Sequence, residues 1–252
     1  MTINPLHTAW RSGKATANAW LGLGDSMSAE VIARRGYDSV TFDLQHGAAS
    51  LADLPRLLQS VSGTTAVPFV RVPTNDPAQI MRALDLGAAG VIVPMVESAE
   101  EARSAVASVR YPPAGRRSYG PLRAALAYGA DQHTRANDEV AVFAMVETAL
   151  GLENLDSIAK VPGLTGLYVG PADLSYAVGA PPSIDSSDER QMAAVERILQ
   201  ASLASGKVAG IHTGSVPFAR AAAARGFQFV TVTVDYSVLG AAVGKRLEEF
   251  RE

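Results

Sequence analysis

Eight short apolar runs rich in β-branched residues recur along this chain, and stretches with helical spacing separate most of them. The runs occupy 19–23, 39–44, 68–72, 90–94, 140–146, 166–169, 208–211 and 229–234. They lack clean apolar/polar alternation, so both faces of each strand are expected to be buried, as in a parallel sheet. Helical spacing covers 26–35, 76–86, 98–109, 153–159, 189–204 and 217–225. Gly36, Gly87, Gly206 and Gly226 stand where a helix stops before the next strand. Eight strand-then-helix units in 252 residues predict an α/β fold, a (β/α)8 TIM barrel forming one domain over 1–252. A doubly wound open sheet competes, but Gly22-Leu-Gly24-Asp25 does not complete the phosphate-binding glycine loop such sheets carry after their first strand. Two stretches, 111–139 and 181–188, read as long loops, which in a compact barrel tend to be functional.

The chain has no cysteine. That removes disulfides, thiolate metal sites and thiol catalysis, leaving oxygen and imidazole as metal ligands. A net charge of −3 with scattered basic residues gives no footprint for nucleic acid. No apolar run is long enough to span a bilayer, and the first ten residues lack the apolar core of a signal peptide, so a cytosolic location is expected.

Barrel enzymes place their chemistry at the carboxyl ends of the strands, where this sequence concentrates its polar residues. The second run ends in Asp43-Leu-Gln-His46, the third in Arg71, the fifth in Glu147, the sixth in Gly170-Pro-Ala-Asp173-Leu-Ser175, the seventh in His212 and the eighth in Asp235. Glu147 and Asp173 each follow an apolar run, and an acid there is costly to desolvate without a positive partner. They read either as two ligands of a Mg²⁺-like ion or as acids placed at helix N-termini. Arg71 reads as a clamp on a carboxylate or oxyanion, or as half of a structural ion pair. Asp43 stands three residues before His46, close enough to orient an imidazole acting as general acid or base. His212 is a candidate for the barrel mouth, whereas His7 and His133 read as surface residues. Lys160 and Lys207 precede their strands, and Lys14 and Lys245 lie near the termini, so no lysine is placed for a Schiff base.

Several segments resemble the HpcH/HpaI aldolases, the metal-dependent pyruvate aldolases. They are Phe42-Asp-Leu-Gln-His-Gly47, Arg71-Val-Pro73, Gly90-Val-Ile-Val-Pro-Met-Val-Glu97, Arg110-Tyr-Pro-Pro-Ala-Gly115, Val146-Glu-Thr148 and the segment 161–175, which ends in Gly170-Pro-Ala-Asp-Leu-Ser175. The similarity runs in order from about Trp20 to Asp235. It implies reversible cleavage of a 4-hydroxy-2-oxo acid into pyruvate, or hydroxypyruvate, and an aldehyde. By resemblance, Glu147 and Asp173 hold a divalent metal (Mg²⁺, Mn²⁺ or Co²⁺), Arg71 stabilises the enolate oxygen, and His46 with Asp43 serves proton transfer. Trp20, Arg71, Gly170, Pro171, Ala172 and Ser175 surround the substrate, the amides near Gly170–Ala172 holding its carboxylate. No organic cofactor is implied. The resemblance further implies a homo-oligomer, a hexamer built as a trimer of dimers, with a swapped C-terminal helix supplied by 237–250.

Two departures stand out. Met145 occupies a position where some relatives carry glutamine, and Arg117-Ser-Tyr-Gly-Pro121 replaces an Arg-Gly-Val-Gly pattern in a loop expected to border the aldehyde subsite. The alternatives are another metal-enolate reaction, either oxaloacetate decarboxylation or a C–C lyase acting on acyl-CoA, for which Arg116, Arg117 and Arg123 hint at a basic surface. A catalytically silent binding barrel is the third alternative, against which the intact set Asp43, His46, Arg71, Glu147 and Asp173 argues.

Overall fold

The computed structural model describes residues 2–252, and they form the predicted closed barrel of eight parallel strands in sequence order. Helix α1 (Leu6–Arg11) precedes β1 (Thr16–Leu21), α2 (Ser26–Ala33) and β2 (Ser39–Asp43). Next come α3 (Leu54–Val61), β3 (Val67–Arg71), α4 (Pro77–Asp85) and β4 (Gly90–Val93). After α5 (Ala99–Val109), the long 111–139 stretch carries two short helices, α6 (Leu122–Tyr128) and α7 (His133–Glu139), so it is not the open loop expected from its prolines. The strand β5 (Ala141–Val146) leads to α8 (Ala149–Glu153), a short helix not expected from the sequence, and then to α9 (Leu155–Ala159), which matches the helix expected over 153–159. The chain closes with β6 (Gly166–Val169), α10 (Pro171–Ala177), α11 (Glu189–Ala204), β7 (Val208–Ile211), α12 (Val216–Arg225), β8 (Phe229–Val234) and α13 (Asp235–Arg251).

The missing alternation has the physical cause anticipated. β2, β4, β5 and β6 are buried at every position, one face against the barrel interior and the other against helices. Helix starts are set locally. Asp25, Asp76, Ser98, Thr148, Asp188 and Ser215 each accept a backbone N–H of the helix they open.

The interior is layered. At the amino-terminal mouth, α1 drives Trp10 among Phe69, Phe143 and Phe229, with ring centroids 5.6–6.4 Å apart. A Cβ at Gly90 would lie 2.3 Å from Phe69, so glycine there leaves the room that the aromatic fills. Above lies a satisfied polar layer. Asn18 donates to Thr231 and accepts from Ser39 and Thr41, each at 3.0 Å, and Tyr168 pairs with Thr231 at 2.6 Å. The plug closes that end of the barrel, and the carboxyl ends of the strands are left to form a cavity.

Candidate active site at the carboxyl ends of the strands

A cavity of about 200 Å³ opens at the carboxyl ends of the strands, lined by Trp20, Asp43, His46, Arg71, Met145, Glu147, Gly170, Pro171, Ala172, Asp173, Ile184, His212 and Tyr236. Of the strand-end residues named from the sequence, Asp43, His46, Arg71, Glu147, Gly170, Asp173 and His212 line it. Asp235 does not; it is buried and accepts the Gly22 and Leu23 N–H groups. Nor does Ser175. It is fully buried, its hydroxyl donates to the Pro171 carbonyl at 2.9 Å, and it is bonded to Ser183. The sequence-based role of Ser175 in substrate binding is therefore corrected to one of holding the 181–188 loop against α10.

Arg71 and Asp43 are adjacent because the β2–β3 register pairs them directly. The Arg71 Nε donates to Asp43 Oδ1 at 2.8 Å and Nη2 donates to Oδ2 at 2.6 Å, a bidentate fork between residues 9 % and 4 % exposed. Trp20 Nε1 donates to the same carboxylate at 3.2 Å, and its ring lies under the guanidinium at 4.9 Å. Burial pushes the Asp43 carboxyl up, but the bonds and charge of Arg71 outweigh it and hold Asp43 below its ordinary value.

This arrangement corrects the Asp43–His46 reading. Asp43 Oδ1 accepts from the backbone N–H groups of Gln45 and His46, at 3.0 and 3.3 Å, and shapes the turn instead of orienting the imidazole. His46 itself is exposed at the rim, and Asp43 is the positioning partner of Arg71. Asp43→Ala is expected to cost about 3–5 kcal/mol, because it strands a buried guanidinium. Chemical denaturation measures it, and His46→Ala is the control that leaves stability nearly unchanged.

Glu147 is 2 % exposed at the end of β5. Burial raises its carboxyl to about 7; the nearby Asp173 adds to the rise, while a bond from the Met95 N–H and the charge of Arg71 oppose it. That N–H meets Glu147 Oε1 at 2.9 Å from a residue held at φ 55°, a left-handed conformation uncommon for a non-glycine residue. Thr148 follows at once and caps α8, fixing where β5 stops. Asp173 is the third residue of α10 and exposed, with its carboxylate on the cavity.

Two oxygen donors, one of them a buried acid with no ion pair among the described residues, suit a hard divalent ion that keeps water or substrate in its other positions. Among the described residues no group of three or more ligating side chains occurs, so the pair would be the protein's whole contribution. Gly170 forms the cradle: a Cβ there would lie 2.0 Å from Glu147 Oε2. Gly170→Ala is therefore expected to displace Glu147 and weaken Mn²⁺ binding about 10-fold or more, measured by calorimetry on a protein that still melts cooperatively. Pro171 offers no N–H, so among 170–172 the amides available to a substrate carboxylate are those of Gly170 and Ala172.

His212 reaches the cavity with its ring edge-on to Trp20, centroids 4.8 Å apart. Burial, then the charge of Arg71, lowers its imidazole to about 4. It is expected to stay neutral at pH 5.5, which ¹⁵N imidazole shifts would show. Ile184 and Tyr236 carry no local sequence signal, because each arrives from a segment after a helix or strand end. His7 is half-buried at the opposite mouth, its Nε2 2.9 Å from the Glu139 carbonyl and its ring against Trp10, so it is not a plain surface residue. His133 is exposed, as expected.

Among the described residues, none of 116–121 lines the cavity. Arg117 pairs with Asp85 at 3.0 Å and stacks on Tyr111, Arg116 donates to Ser104, and Arg123 binds the Leu86 carbonyl. Arg116, Arg117 and Arg123 are thus engaged away from the cavity. Lys207 donates to the Leu164 carbonyl, at the amino-terminal side of β6.

At its carboxyl face the (β/α)8 barrel thus gathers paired acids, a clamped arginine and two imidazoles. The HpcH/HpaI aldolase/citrate lyase family model matches residues 17–242, and the chain belongs to that family. It is 37 % identical over 249 residues to a hydroxypyruvate/pyruvate aldolase of Rhizorhabdus wittichii, covering 99 % of each chain. It is also 36 % identical over 242 residues to a 4-hydroxy-2-oxo-heptane-1,7-dioate aldolase of Salmonella paratyphi C, covering 94 % of this chain and 90 % of the relative. The crystal structure of a family member from Burkholderia cenocepacia J2315 superposes with a TM-score of 0.92 at 32 % identity, covering 99 % of this chain and 100 % of that one.

Proposed function

We propose that this aldolase is divalent-metal-dependent and cleaves a 4-hydroxy-2-oxo acid into pyruvate, or hydroxypyruvate, and an aldehyde. The observation that carries the reading is the buried Glu147 beside Asp173, cradled by Gly170 at the end of the cavity that also holds Arg71. Glu147 and Asp173 would hold Mg²⁺, Mn²⁺ or Co²⁺. When bound, the ion polarises the 2-oxo group as a Lewis acid.

The chain's own residues supply the rest. The amides at Gly170 and Ala172 take the substrate carboxylate. Arg71, fixed in orientation by Asp43 and Trp20, presents a guanidinium to the 2-oxo oxygen as negative charge gathers there. His46, exposed at the rim, accepts the 4-hydroxyl proton through water as the C3–C4 bond breaks. The bond's electrons pass to C3, the aldehyde leaves, and the proton returns to C3 to give the 2-oxo acid. The cavity lining contains no lysine, which favours this route over an imine.

The test is pyruvate release from 4-hydroxy-2-oxoheptanedioate, read through a coupled dehydrogenase. Release is expected with Mg²⁺ or Mn²⁺, lost with excess chelator and restored by added metal. Release indifferent to chelator would sink the metal reading.

We further propose a homo-oligomer, a hexamer arranged as a trimer of dimers. α13 supports it, exposing Tyr236, Val238, Leu239, Val243, Leu247 and Phe250 at about half of each surface or more. Light scattering is expected to give six subunits for the wild type and fewer for Leu239→Asp/Val243→Asp.

A further inference from the structure

A second cavity of about 200 Å³ lies directly behind the first, between α11 and α12. Its walls are mainly apolar, with Met192, Val195, Ile211, Phe218 and Ala222 prominent. Two residues line both cavities, Pro171 and Ile184. Pro171 belongs to the α10 start beside Glu147, so its backbone position is fixed. Ile184 sits on the 181–188 loop and supplies the rest of the shared wall.

The loop is held firmly. Ser183 is bonded to the Ser175 hydroxyl at 3.3 Å. Asp185 Oδ1 accepts the Gly214 N–H at 2.7 Å. Gln191, 2 % exposed, donates through Nε2 to the carbonyls of both Pro171 and Ser183, at 2.8 and 3.0 Å. One buried amide thus ties the two sides of the partition together. These bonds flank Ile184 on each side and do not involve its side chain.

We propose that Ile184 is a specificity-determining residue that limits the 2-oxo acid to a short C3 substituent, and that the chamber behind it is an apolar subsite for a longer one. The inference rests on the aldolase reading above. The substrate part beside Ile184 is the 2-oxo acid, because Pro171, shared by both cavities, lies between the two residues whose amides take its carboxylate. A chamber of this size suits a short alkyl chain, since an apolar cavity of about 150 Å³ already accommodates benzene. Its lining offers no charge except Arg225, so the subsite selects hydrocarbon over a charged group.

The test compares C3-proton exchange of pyruvate and of 2-oxopentanoate in deuterated buffer with Mn²⁺, for the wild type, Ile184→Ala and Ile184→Ala/Ala221→Phe. Ile184 is only half-buried and Ala221 is exposed, so the variants are expected to fold. Truncation is expected to raise the 2-oxopentanoate/pyruvate ratio about 10-fold or more, the scale of discrimination that a methylene-sized difference provides. The added phenylalanine, filling the chamber from α12, is expected to reverse the gain. Calorimetric binding of the two acids should shift in parallel. Normal pyruvate exchange with an unchanged ratio in Ile184→Ala would overturn the partition alone. Absence of pyruvate exchange in the wild type would overturn the aldolase reading, and this inference with it.

Discussion

Arg71→Ala is expected to lower kcat by about 100- to 1000-fold, the usual cost of removing a preorganised donor from a developing oxyanion. It also leaves the Asp43 carboxylate, 4 % exposed, without its cation, so a stability loss of about 3–5 kcal/mol accompanies the kinetic one. Arg71→Lys separates the two effects. Lysine keeps a positive charge for Asp43 but cannot reproduce the fork that bonds both carboxylate oxygens, nor the planar stacking over Trp20. Most of the stability should return while kcat stays depressed by about two orders of magnitude. Steady-state kinetics beside denaturant melts measure both. Near-wild-type kcat in the lysine variant would mean that charge alone suffices and that the orientation imposed by Asp43 is irrelevant.

Glu147→Gln has the second large expected effect, and it runs in opposite directions for function and stability. Glutamine keeps an oxygen for the Met95 N–H but removes the charge a cation needs, so metal affinity and cleavage should both collapse. The metal-free protein should gain stability. The Glu147 carboxyl is raised from 4.5 to about 7 in the folded state, so folding is favoured while it is protonated. Below pH 4.5 both states are protonated and wild type and variant should match. Between pH 4.5 and 7 the unfolded chain releases the proton that the folded chain retains, and the wild type loses up to about 3 kcal/mol, a loss that persists above pH 7. Melting curves of the chelated proteins at pH 4.5 and 8 check this. Equal stability at pH 8 would contradict a buried Glu147 that holds its proton up to about pH 7.

The barrel was legible in the sequence because strand periodicity is a local property. The runs at 166–169, 208–211 and 229–234 coincide with β6, β7 and β8, and the helix at 189–204 coincides with α11. Site residues at strand ends were legible for the same reason: in a parallel barrel, position along the strand determines which mouth a side chain faces. Pairings across strands were not. Asp43 meets Arg71 through a register set by backbone hydrogen bonds between β2 and β3, and no spacing within either segment encodes it. Spacing along the chain points Asp43 to His46 instead, the nearest imidazole in sequence. Ser175 entered the site through the resemblance alone; one turn past Pro171 on α10, its side chain points back into the fold. Ile184 and Tyr236 were missed because their contact with the cavity depends on how α10, its following loop and α13 return to the barrel.

Proton exchange at the methyl group of pyruvate, followed by NMR in deuterated buffer with no aldehyde present, tests the metal-enolate claim most directly. Exchange is predicted with Mg²⁺ or Mn²⁺, abolished by excess chelator, restored by metal, and absent from Glu147→Gln. Exchange that continues undiminished in excess chelator, or survives in Glu147→Gln, would contradict the account.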